Sequence, residues 1–257
     1  MGALEVDHPA PHVARLTISN PAKRNALDRP ILDALAETLP ALDARCVLLT
    51  GAGSVFSAGY DIADLAPDRL AEEAAELVAN PFQAALEALD AVPVPVVAAL
   101  NGHAIGGGLE LALACDLRVA ASGARLGMPP GRLGLVYSHT GVRRFLSAIG
   151  AARTRELFLT AKLIDAPTAA SWGLVNEVVE ADEVGARGVE LAVQVASLAP
   201  LSQRGNKRVL RELLDASLDE RVLRELNALR EGAFRSADFA EGVRAFVEKR
   251  PPRWQGR

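Results

Sequence analysis

Hydrophobic positions form two kinds of run along the first half of the chain. Val13 to Ser19 is short, branched and partly alternating, which predicts a strand, and Asn20-Pro21 is a turn signal. The spacing then changes. Ile31, Leu32, Leu35, Leu39 and Leu42 recur at helical intervals, with Asp28 as the expected N-cap and Pro30 in the first turn. Cys46-Val47-Leu48-Leu49-Thr50, ended by Gly51, is a continuous apolar run, as in a strand of a parallel-type sheet flanked by helices on both sides. Residues 69 to 90 are helical in pattern, with Leu70, Leu77, Leu86 and Leu89 on the apolar side and a break or kink expected at Pro81. Further buried strands are expected at Val94 to Leu100 and at Leu117 to Ala120. Strand, helix and strand thus follow one another as in a layered α/β unit. From about Thr140 the pattern is almost wholly helical, with segments near 151–160, 167–172, 183–198, 203–214, 217–234 and 238–249. No linker, low-complexity tract or internal repeat stands out.

Composition narrows the picture. The chain has 257 residues, of which half are apolar, so one large α/β domain with a helical appendage can bury a sizeable core. The 4% aromatic content argues against a β-sandwich rich in Tyr and Trp. The net charge of −4 comes without a basic stripe, which excludes non-specific nucleic-acid binding but leaves open a small polyanionic ligand held by a few local cations. Cys46 and Cys115 each sit in an apolar run that reads as a strand or its edge, and are expected to be buried free thiols in a reducing compartment. The first residues, Met1 to Asp7, lack the basic start and apolar stretch of a secretory signal. The longest apolar runs, such as Val92 to Leu100, are too short to span a bilayer. A cytoplasmic protein without membrane partners is the expectation. The four histidines show no metal-ligand spacing, so no metal is expected.

The most informative stretch is Asn101 to Asp116. A strand runs into Asn101-Gly102, and Gly106-Gly107-Gly108 then leads into Leu109-Glu110-Leu111-Ala112-Leu113-Ala114-Cys115. Glycines let a ligand approach the backbone, and the first N–H groups of the following helix lack intrahelical partners. That arrangement suits a developing oxyanion, with Glu110 beside the donors in the first turn. An acid at this place also simply complements the helix dipole. No Gly-Lys-Ser/Thr follows the glycines, so this is not a P-loop. Gly51-Ala52-Gly53 follows a strand but lacks the third glycine of a dinucleotide fingerprint, and the chain continues into Val55-Phe56-Ser57-Ala58-Gly59 rather than a clear helix.

Taken in order, these segments resemble the enoyl-CoA hydratase/isomerase (crotonase) superfamily. The resemblance rests on Thr50-Gly51-Ala52-Gly53, on Phe56-Ser57-Ala58-Gly59-Tyr60-Asp61-Ile62, and on the glycine run some forty residues later. Pro21-Ala22-Lys23-Arg24-Asn25-Ala26-Leu27, Leu159-Thr160-Ala161, Trp172-Gly173-Leu174-Val175-Asn176 and Glu241-Gly242-Val243-Arg244-Ala245-Phe246 are similar to further landmarks, so nearly the whole chain is covered. The resemblance implies an α/β fold of repeated ββα units over residues 1–200 and a C-terminal helical region, 201–257, that trimerises, often as a dimer of trimers. It implies an acyl-CoA thioester substrate and no cofactor beyond the coenzyme A that the substrate carries. The backbone N–H groups of Tyr60 and Gly107 match the two donors to the thioester oxygen, and Glu110 matches a catalytic glutamate. Ala26, Ala58, Asp61, Ile62, Gly106 and Pro130 match positions along the substrate. The resemblance places Lys23 and Arg24 near the nucleotide end, and Lys249 and Arg250, near the C-terminus, could reach the site from the same or an adjacent subunit; each is otherwise a solvated surface cation.

Two departures bear on the reaction. Family hydratases carry a second glutamate about twenty residues beyond the first, in a Pro-Glu pair. Met128-Pro129-Pro130-Gly131 puts Pro130 there, and proline has no proton to transfer. Tyr137-Ser138-His139-Thr140-Gly141 then replaces the usual Pro-Gly-x-Gly-Gly and partly resembles methylmalonyl-CoA decarboxylase, which has a tyrosine at the place of Tyr137 but a histidine at that of Tyr60. Tyr137 and His139 are therefore candidates to supply a proton or orient substrate. Their alternatives are a half-buried tyrosine and a loop histidine bonded to backbone. Decarboxylation stands as a second reading, and a non-catalytic binding or scaffold protein as a third.

Overall fold

The computed structural model describes residues 1–61, 81–132, 137–215, 221, 224–225, 237–238, 241, 248 and 250–257. The strand-like run at the start is β2 (Val13–Ser19), which pairs antiparallel with β1 (Ala3–Ala10), an exposed edge strand. Helix α1 (Arg29–Ala41) begins where the sequence indicates. Asp28 caps it by accepting from the Ile31 N–H at 3.2 Å, and Ile31, Leu32, Leu35 and Leu39 are buried. Leu42 lies just beyond the helix end. The other oxygen of Asp28 accepts from the Gly2 N–H at 2.7 Å, so one carboxylate fastens both the helix and the first strand. Replacing Asp28 with Ala is expected to cost about 1–2 kcal/mol, mostly from the lost cap, read as a lower urea midpoint with unchanged slope.

The buried runs are β3 (Cys46–Gly51), β5 (Val96–Leu100) and β7 (Leu117–Ala121), all parallel. With β10 (Glu177–Val179) they complete a sheet in the order β1-β2-β3-β5-β7-β10. A smaller sheet holds β4 (Val55–Ser57), β6 (His103–Ile105), β8 (Arg125–Gly127) and β9 (Leu163–Asp165), in that order. Each of β3, β5 and β7 turns directly into β4, β6 or β8, and a helix follows: α2 (Gln83–Ala91), α3 (Gly107–Ala114) and α4 (His139–Thr160). This is the repeated ββα plan. Adjacent turns are fastened by Asn101, whose amide oxygen accepts from the Gly51 N–H at 3.1 Å and whose amide nitrogen donates to Gly53 at 2.8 Å.

Several expectations need correction. The region after Thr140 is not wholly helical, because β9 and β10 lie within it. The helices there are α4, α5 (Ala166–Ser171), α6 (Val184–Ala196) and α7 (Pro200–Asp215). Helix α4 has an unexpected first part that starts at His139, where Ser138 caps it through the Gly141 N–H at 3.1 Å; the non-helical Gly150, with φ of 72°, divides it from a second part over 151–160, which is the expected segment. Cys115 ends helix α3 and is not in a strand, since its N–H bonds back to Ala112. Both cysteines are buried and free. Helix α2 follows directly on the π-helical residues Pro81 and Phe82, so no break is seen after Pro81, and the chain before it lies outside the described residues. Leu70, Leu77 and the helices expected over 217–234 and 238–249 lie wholly or mostly outside the described residues. No helix among the described residues is long and apolar enough to cross a membrane.

Candidate active site

Strands β4, β6 and β8 run parallel, so their C-terminal ends point the same way. Tyr60 follows β4, Gly107 follows β6, and Pro130 and Tyr137 follow β8. Segments far apart in sequence therefore meet at one edge of the small sheet.

After β4 the chain makes a parallel bridge between Leu27 and Tyr60. Leu27 donates to the Gly59 carbonyl at 2.7 Å and accepts from the Asp61 N–H at 3.1 Å. Both bonds use the flanking residues, which leaves the N–H of Tyr60 on the side away from Leu27. After β6, Gly106 takes φ of 55° and ψ of −124°, a backbone state that glycine adopts without a steric penalty. Its carbonyl accepts from both Leu109 and Glu110 at 3.0 Å, starting α3 at Gly107. Among the described residues, the N–H groups of Tyr60 and Gly107 meet no protein acceptor. Absence of side chains is essential here. A Cβ on Gly107 would lie 2.6 Å from the Tyr60 ring, and one on Gly108 would lie 2.7 Å from Ser57.

Glu110 is 1% exposed. The Tyr137 hydroxyl donates to its Oε2 in a short hydrogen bond, and the Tyr60 hydroxyl lies 3.3 Å from that of Tyr137. The two tyrosines of the chain thus stand in line with the buried Glu110 carboxyl. Phe82 meets the Tyr60 ring edge-on at 4.8 Å, and Phe158 meets Tyr137 at 5.6 Å, fixing both rings from outside. Burial pushes the Glu110 carboxyl above its ordinary pKa of 4.5; the Tyr137 bond and the charge of Arg144 oppose that rise, and Asp90 adds to it. Burial also raises both phenols, so they remain proton donors at neutral pH. Arg144 on α4 grips Asp90 on α2 with both arms, at 2.9 and 2.5 Å.

The other expected site residues spread more widely. Asp61 sits beside Tyr60, and Lys23 pairs with it at 2.6 Å. Arg24 and Ala58 are exposed, and the Ala58 N–H donates to the Arg24 carbonyl at 3.1 Å. Ala26 is buried nearby. Pro130 is buried and opens a short 3-10 turn, and its ring has no transferable proton. His139 is exposed at the first residue of α4, and no hydrogen bond joins it to Glu110 or Tyr137 among the described residues. His103 accepts from the Arg125 N–H at 3.0 Å, a structural bond. Arg250 pairs with Glu241 at 2.7 Å. Ile62 and Lys249 lie outside the described residues. No cluster of metal-binding side chains is found among those described.

Sequence reading missed three contributors. Asn25 is buried and clamps the Ala52 and Val55 carbonyls at 2.8 and 2.7 Å, holding the Lys23 loop against the β3–β4 turn. The Arg144–Asp90 pair is the second. Gly141 is the third, packed so close to Glu110 that a Cβ there would lie 2.7 Å from its Oε1. The Ser138-x-x-Gly141 cap was the one local signal for it.

Comparison with known proteins bears on the family and the fold. A family model for enoyl-CoA hydratase/isomerase matches residues 10–257. A probable enoyl-CoA hydratase of Mycobacterium leprae is 36% identical over 256 residues, covering 95% of this chain and 96% of its own. The crystal structure of an enoyl-CoA hydratase from Bacillus anthracis is similar with a TM-score of 0.90 at 32% identity, covering 99% of each chain. That of an enoyl-CoA hydratase from a Polaromonas species gives 0.89 at 30% identity, covering 99% of this chain and 100% of the other.

Proposed function

The chain belongs to the enoyl-CoA hydratase/isomerase family, and from that premise we propose that it holds the thioester oxygen of an acyl-CoA between the N–H groups of Tyr60 and Gly107 while Glu110 moves a proton. The observation that carries the reading is two N–H groups that meet no acceptor among the described residues, together with one buried carboxyl held by a phenol. Charge collects on the thioester oxygen when the α-carbon loses a proton or when water adds at the β-carbon. Preorganised donors stabilise that charge most where water is excluded.

Hydration or isomerisation of an enoyl-CoA is the reaction class. The double-bond shift suits the described residues better. Glu110 takes a proton from the α-carbon, the electron pair moves into the thioester carbonyl, and the same proton returns at the γ-carbon as the double bond moves. Water addition wants a second acid or base, and Pro130 supplies none. Loss of CO2 from a methylmalonyl-type ester is the second reading. It is favoured by Tyr137, whose protonated phenol on Glu110 provides a donor for the enolate carbon. Coenzyme A enters with the substrate, and no further cofactor is part of the proposal. The cytoplasm is the proposed compartment. A homotrimer, alone or paired into a hexamer, is supported by Leu210, Leu213 and Leu214 on α7, which are 57–61% exposed in the single chain.

The test is to incubate the purified protein with crotonyl-CoA, a 3-enoyl-CoA and methylmalonyl-CoA. A 3-enoyl-CoA converted to the conjugated ester, seen by its ultraviolet absorbance, is the expected result. Gain of water by crotonyl-CoA moves the assignment to hydration, and loss of CO2 to decarboxylation. Binding of all three esters without turnover would overturn the enzymatic reading in favour of a scaffold.

A further inference from the structure

Tyr60 enters the proposed chemistry through its backbone, yet its side chain is placed with equal care. Each phenol carries one proton. Tyr137 spends its own on Glu110 Oε2 when that carboxyl is ionised. The 3.3 Å contact between the two hydroxyls must then be donated by Tyr60. The direction of the chain is therefore Tyr60 to Tyr137 to Glu110. A hydroxyl that accepts a hydrogen bond donates a stronger one, so the outer phenol strengthens the bond of the inner phenol to the carboxylate.

We infer that the Tyr60 side chain is a positioning residue, whose hydroxyl holds the Tyr137 phenol on Glu110 and so favours the ionised, proton-accepting form of that carboxyl. The Tyr60 ring is fixed for this task. It stacks edge-on against Phe82 at 4.8 Å and fills the space beside Gly107 that a Cβ would need. The inference rests on Glu110 being the proton carrier of the proposed reaction.

The groups that face Glu110 are few among the described residues. Tyr137 precedes α4, Arg144 lies on α4 and Asp90 on α2, and Tyr60 stands behind Tyr137. Arg144 and Asp90 are paired with each other through both arms of the guanidinium, and neither bond involves a phenol hydroxyl. Replacing Tyr60 with Phe deletes one hydroxyl while leaving the ring, the Phe82 contact and the backbone N–H in place.

The experiment is an infrared titration of Glu110, with its protonated carboxyl band identified by its absence in Glu110→Gln. In Tyr60→Phe the midpoint is expected to rise by about half to one pH unit, as loss of one neutral hydrogen bond implies. The acid limb of kcat should rise with it, kcat should fall about 3- to 10-fold, and KM should stay unchanged. In a Tyr137→Phe background the same substitution should move the midpoint no further, because the link between Tyr60 and Glu110 is already cut. An unmoved midpoint in Tyr60→Phe overturns the inference, as does an equal shift in both backgrounds, which would mark a merely structural effect. A shifted midpoint with no turnover of any acyl-CoA ester leaves Tyr60 positioning Glu110 and overturns the proposed reaction alone.

Discussion

Glu110→Gln is expected to lower kcat about 10²- to 10⁴-fold, the range lost when a positioned acid or base is removed. The amide keeps the size of the carboxyl and still accepts from the Tyr137 hydroxyl, so the surrounding packing survives. KM should change little, because the proposed binding donors are the backbone groups of Tyr60 and Gly107. Stability should move the other way. The Glu110 pKa is raised in the folded protein above its reference of 4.5, chiefly by burial. Below that reference both folded and unfolded states hold the proton, and the full stability of the neutral group is present. As pH rises, the unfolded chain releases its proton first and stability declines, until the folded carboxyl also ionises. Glutamine does not titrate. The variant should therefore match the wild type near about pH 4 and exceed it near about pH 7, compared by urea midpoints at the two values. A variant with unchanged rate would remove Glu110 from proton transfer. One less stable at neutral pH would show that the carboxylate is favoured where it lies.

How far the sequence announces this site depends on how local each cause is. Helix α1 was legible because its cap, its proline and its apolar stripe lie within a few residues of one another. The central strands were legible because burial on both faces leaves an unbroken apolar run. Strands β4, β6, β8 and β9 have three residues each, too few to show a period of two, and exist because neighbouring strands pair with them. The glycine run could be read as a place of close backbone approach, but not what approaches. The Tyr60 ring beside Gly107 belongs to a segment some forty-seven positions away. Tyr137 came into view through family resemblance. Its bond to Glu110 spans 27 positions and its contact with Tyr60 spans 77. The Arg144–Asp90 pair, 54 positions apart, had no local mark at all. Separations of this size are set by the ββα topology, which places the C-terminal ends of β4, β6 and β8 side by side.

Gly141→Ala separates geometry from chemical identity at this same site. The residue lies in the first turn of α4, where alanine is favoured over glycine by about 1 kcal/mol. Its backbone accepts the change, but its surroundings do not. A Cβ would lie 2.7 Å from Glu110 Oε1, 2.7 Å from Tyr137 Cε1 and 3.0 Å from Ser138 Oγ. Ser138 caps the helix and Tyr137 is wedged against Phe158, so the movement falls on the Glu110–Tyr137 pair. Displacement of a reacting group by about 1 Å commonly costs about 10²-fold in rate, and kcat is expected to drop by that amount with every acid, base and donor still present. The urea midpoint should stay close to wild type, because the helical gain offsets the local crowding. Gly185→Ala, on α6 with open space around its Cβ position, is the control and should leave the rate unchanged. If Gly141→Ala kept full activity, the spacing of carboxyl and phenol could not be what the site depends on, and Tyr137 would be a neighbour of Glu110 rather than its partner.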